Sequence, residues 1–96
     1  MNNGRNYVLE NFTVVSARHL SEHKALMYNY VCIRKELRAK FKQNLDNCND
    51  RIERAEIINQ HILRLQDLRI LEKHQQWKLK HVQLQEIKLL KSSSAN

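Results

Sequence analysis

The sequence predicts an all-α protein, a helical hairpin of two long helices that packs with partner helices. Three observations lead there. Among 96 residues there is no proline and a single glycine, Gly4. Beyond Arg5, then, neither of the strongest helix breakers occurs. Apolar residues recur three or four positions apart through most of the chain, which is the period of an α-helix. One polar stretch, Asn44-Leu45-Asp46-Asn47-Cys48-Asn49-Asp50, interrupts that period near the middle.

Residues 1–12 read as a loosely ordered lead-in. Tyr7, Val8, Leu9 and Phe12 are apolar, but Asn2, Asn3, Gly4 and Asn6 precede them. Asn11, Thr13 or Ser16 can start a helix, because each offers a side-chain oxygen to the unpaired N–H groups of a first turn. A single helical domain over residues 13–91 follows, beginning with a helix over about 13–43. Within it Leu26, Tyr30, Ile33, Leu37, Phe41 and Leu45 form one stripe, with Arg34, Lys35, Arg38 and Lys42 mostly off it. Tyr28, Tyr30 and Phe41 read as core.

The break spans residues 44–50. Asn44, Asp46, Asn47, Asn49 and Asp50 all compete for local backbone hydrogen bonds, and Asp46 or Asn47 is placed to cap a second helix. That favours the hairpin. The alternative is one long, locally interrupted helix, since Cys48, Ile52 and Ala55 continue the earlier stripe in phase.

The second helix is expected over about 51–91, roughly 60 Å at 1.5 Å per residue, with residues 92–96 a flexible tail. Its apolar residues, from Ile52 to Leu90, occupy most of the helical circumference. The consistently polar strip is narrow: Glu56, Gln60, Asp67, His74, Lys78 and Gln85. A helix apolar nearly all round is buried on several sides, and one hairpin partner covers a single side. Leu63, Ile70, Trp77 and Leu84 recur every seven residues and are the expected partner-binding face. Gln66, Lys73 and Lys80 occupy the positions three residues on, so this is no simple two-stranded coiled-coil seam. For Trp77, core packing and an interface anchor are both open.

Charge comes next. Lys and Arg number 17 against 10 Asp and Glu, a formal net charge of +7. One cluster is Arg34, Lys35, Arg38, Lys40 and Lys42; a second holds Lys73, Lys78, Lys80, Lys88 and Lys91. Such faces attract phosphate backbones or acidic protein surfaces, or simply solvate a helix. No zinc finger, ribonucleoprotein motif or convincing helix-turn-helix accompanies them.

Nothing reads as catalytic. With one glycine there is no phosphate-binding loop and no GxSxG or GxGxxG. His19 and His23 stand at the i,i+4 spacing of a helical metal pair, but no Glu follows His19 and no cysteine is near. They read as exposed polar residues, and neither metal nor cofactor is expected. Cys32 and Cys48 fit no CxxC or disulfide framework and read as free thiols of a reducing compartment. No stretch approaches the ~20 consecutive apolar residues of a membrane span, and the N-terminus has no secretory-signal pattern. The expected location is intracellular, cytoplasmic or cytoskeletal, with a nuclear one as the alternative.

The stretch Leu68-Arg69-Ile70-Leu71-Glu72-Lys73-His74-Gln75-Gln76-Trp77 resembles the tail helix of small cilia- and flagella-associated microtubule inner proteins. The likeness lies in a Leu-rich turn, a Glu-His-Gln run and an aromatic. After Trp77 the chain departs from the pattern, continuing Lys78-Leu79-Lys80-His81 instead of turning more acidic. The resemblance implies a short helical protein lining axonemal doublet microtubules, with the acidic surface of tubulin as partner.

The expected function is therefore that of a non-enzymatic structural subunit binding a protein partner or further copies of itself. A basic helical nucleic-acid-binding protein is the alternative. Peripheral membrane association ranks third.

Overall fold

The computed structural model describes the backbone of residues 3–94 and the side chains of residues 11–92. It is a helical hairpin of two 44-residue helices, α1 (Asn3–Asp46) and α2 (Arg51–Ser94). No strand occurs among the described residues.

Both helices outrun the expected bounds. α1 begins at Asn3, so residues 3–12 are helical and not a loose lead-in. An asparagine costs a helix no more than about 0.7 kcal/mol relative to alanine, too little to end one when no proline intervenes. The candidate caps Asn11, Thr13 and Ser16 all lie inside α1. At the other end α2 continues to Ser94, taking in most of the expected tail. Met1, Asn2, Ala95 and Asn96 lie outside the described residues.

The reversal is built from polar and backbone groups. Asn47 N–H still donates to the Gln43 carbonyl at 3.1 Å, and Cys48 N–H tightens to the Leu45 carbonyl at 3.2 Å. Asp50 then caps α2. Its carbonyl accepts the first helical bond, from Arg54 N–H at 2.9 Å. Its Oδ1 lies 3.4 Å from Ile52 N–H. The expected caps, Asp46 and Asn47, instead belong to the last turn of α1 and the residue after it. Arg54 closes the corner from α2, donating to the carbonyls of Leu45 at 2.7 Å and Cys48 at 2.9 Å. The Leu45 carbonyl, which also accepts Cys48 N–H, is one of the last four of α1, and the Cys48 carbonyl lies in the turn beyond it. Cys48 is buried beneath this corner, its thiol donating to Glu53 Oε2 at 3.3 Å.

The chain divides into two compact units. The turn unit is Met27–His74. On α1 its less exposed residues are Met27, Tyr30, Cys32, Ile33, Arg34, Leu37, Phe41 and Leu45, which contain the sequence stripe from Tyr30 to Leu45 and add Met27, Cys32 and Arg34. On α2 they are Ile57, His61, Leu65, Leu68 and Glu72. Tyr30 is buried, at 4% exposure, whereas Tyr28 is exposed and is not core. Phe41 stacks on His61 with ring centroids 4.0 Å apart and planes 7° from parallel. Arg34 pairs with Glu72 across the two helices.

The terminal unit is Met1–Leu26 together with Gln75–Asn96. Here Asn11, Val15, His19, Glu22 and Leu26 of α1 are the less exposed residues that recur at helical spacing. Gln75, Gln76, Leu79, Gln83, Glu86, Ile87 and Leu90 of α2 are the corresponding set. Four of those seven α2 residues are polar. Glu86 accepts from Arg18 and lies 3.1 Å from His19 Nε2. Gln83 Nε2 donates to the His19 carbonyl at 3.1 Å. No large side chain among the described residues is fully buried, so each unit has a thin core.

Candidate functional site

The apolar side chains of α2 that the hairpin leaves outside are the first feature of the site. In the turn unit Leu63 is 58% exposed and Ile70 67%; in the terminal unit Trp77 is 62% exposed and Leu84 49%. Within the chain Trp77 is therefore not a core residue. Its ring stacks on His81, one turn on, with centroids 5.4 Å apart and planes 9° from parallel. Ile52, Ile62, Leu71, Val82 and Leu89 are also exposed.

The cause is a register that conflicts with the apolar pattern. α2 turns His61, Glu72, Gln75, Gln76, Gln83 and Glu86 into its less exposed side and leaves the seven-residue series outside. Ile57, Leu65, Leu68, Leu79, Ile87 and Leu90 are the aliphatic residues that side retains in the two units. Because most of the α2 circumference is apolar, any one seam strands leucines and isoleucines elsewhere.

The basic patches divide differently from the expectation. Lys35, Arg38, Lys40 and Lys42 are exposed on α1. Arg34 is not part of that solvated face: it is half-buried and holds the Glu72 carboxylate, whose side chain is only 12% exposed. Lys73, Lys78 and Lys80 stand exposed on α2. Arg69 falls outside both basic clusters of the sequence. It lines, with Arg34, Arg38 and Glu72, a shallow depression in the turn unit floored by Leu65 and Leu68. The 34/38 and 69/72 spacings are visible in the sequence, but only the hairpin register sets them opposite each other. A second open groove, in the terminal unit, is lined mainly by Ala25, Leu26, Leu79 and Val82, with Glu22, Gln75 and Lys78 around it.

The histidine pair separates. His19 is buried against Glu86, contrary to the exposed role expected of it, while His23 is exposed. Both cysteines are free thiols. Burial, and then the hydrogen bond to the Glu53 carboxylate, push the Cys48 thiol above its ordinary range. No helix among the described residues is long and apolar enough to cross a membrane.

No family model, curated protein or solved structure matches the chain.

Proposed function

We propose that this protein is a non-enzymatic helical subunit that docks into a larger protein assembly through the outward side chains of α2. One observation carries the reading: Leu63, Ile70, Trp77 and Leu84 are exposed while glutamine, histidine and glutamate occupy the shielded side of the same helix. Exposed apolar surface of this kind gains free energy when a partner covers it, about 25 cal/mol for each Å² removed from water. The assembly we favour is an intracellular, microtubule-based one. Support for it is the resemblance at Leu68–Trp77 and the net charge of +7, suited to an acidic surface.

The test is recovery of the tagged chain from cells under nuclease treatment and high salt, with Trp77→Ala/Leu84→Ala alongside the parent. A stoichiometric protein complex that resists salt and nuclease and is lost in the double variant is the expected result. A complex that dissolves with salt or nuclease but tolerates the double variant would favour nucleic-acid binding. For that arm Lys35, Arg38 and Lys42 are the residues to reverse, since Arg34 is occupied by Glu72.

A further inference from the structure

We propose that the Trp77–Lys88 face of α2 is the docking site for an acidic amphipathic helix of another protein. The inference rests on the docking reading above and adds the chemistry of the partner. Trp77, Lys80, Leu84 and Lys88 follow one another at intervals of three and four residues, which places them on one side of the helix. All four are exposed. In the same unit α2 meets α1 through other positions, Gln83 and Glu86 among them.

The face thus alternates apolar and cationic groups. Its own helix offers it little compensation, because Glu86, the only carboxylate in residues 75–92, is engaged by Arg18 and His19. A helix lying against the face must supply apolar side chains to Trp77 and Leu84 and carboxylates to Lys80 and Lys88. An acidic amphipathic helix meets both demands, in the way that charged flanking positions select partners in coiled coils.

Three other occupants fit less well. A second copy brings a further +7 of charge and sets lysine against lysine within the seam. An anionic bilayer selects helices whose apolar residues gather on one face. Here Val82 and Leu89, five residues on from Trp77 and Leu84, point about 140° away. Duplex nucleic acid would take up the lysines through its phosphates and leave Leu84 without an apolar partner.

Trp77 is the only tryptophan, so its emission reports on this face alone. The experiment titrates the full chain with a synthetic helix bearing leucine at its seam and glutamate at the flanks. Parallel arms use the same helix with glutamine for glutamate, phosphatidylserine vesicles, and duplex DNA. The expected result is a saturable blue shift with the acidic helix, about ten-fold weaker for the glutamine version and for Lys80→Glu/Lys88→Glu. Leu84→Ala should also weaken it. Equal binding of both helices overturns the acidic partner and leaves the docking reading standing. Binding of neither helix by a chain that stays helical overturns the site, and so does tighter binding to vesicles or DNA. The docking reading itself fails only if cells yield no protein complex.

Discussion

Cys48 shows how one side chain registers its surroundings. It lies buried under the corner between the helices, with its thiol directed at Glu53 Oε2 and the Asp50 carbonyl. Burial disfavours the thiolate, and the neighbouring carboxylate disfavours it further, so ionisation is pushed to higher pH. A thiol whose ionisation is raised by folding adds stability at neutral and acidic pH and loses it as pH climbs through the alkaline range. Alkylation followed by mass spectrometry should find Cys32, which is only half-buried, modified before Cys48 at neutral pH. Glu53→Gln should narrow that gap; faster labelling of Cys48 in the parent chain would contradict the account. The sequence could mark both cysteines as free thiols, but it could not order their reactivity. The ordering depends on Glu53, which a helix start brings back toward the turn. Arg34 makes the same point: its residue type announces a cation, and only Glu72, 38 residues on, makes it a structural one.

At the scale of the element, the corner is held more by Arg54 than by a strong cap. The Asp50 side chain reaches Ile52 N–H at a long 3.4 Å, while the Arg54 guanidinium binds two carbonyls at 2.7 and 2.9 Å. Hydrogen bonds from a charged donor are typically worth about 1.5–3 kcal/mol, whereas losing an N-cap costs about 1. The Arg54 bonds are partly exposed, so the lower end applies. Arg54→Ala should therefore lower stability by about 1.5 kcal/mol and Asp50→Ala by less, read from denaturant midpoints; the reverse order would refute the assignment. The hairpin break was legible because five Asn and Asp residues crowd into residues 44–50. Which of them caps was not, since all offer the same oxygen and only the backbone path selects one. The inner stripe of α1 was legible too, because Tyr30, Ile33, Leu37, Phe41 and Leu45 recur three or four residues apart, although Tyr28 and Val31 lie outside it. That of α2 was obscured by leucine and isoleucine on nearly every side, and the side turned inward proved to carry Gln75, Gln76 and Gln83.

For the whole molecule, composition decided the class and left the assignment of surfaces open. Absence of proline and near-absence of glycine permitted long helices, and the helical apolar period specified them. The excess of apolar residues on α2 motivated the proposal of a covering partner, but the exposed series and the lysines had to be placed before either carried meaning. The shielded side of α2, rich in glutamine and glutamate, has a consequence inside a cell. Burial of such side chains adds little net free energy, so under the proposed docking function an unassembled copy is expected to open and present its leucines to chaperones and proteases. Partner supply, and not synthesis alone, would then set how much of the protein persists. A pulse-chase measurement should show Trp77→Ala/Leu84→Ala decaying faster than the parent chain. Equal lifetimes would mean that the unassembled hairpin survives unaided.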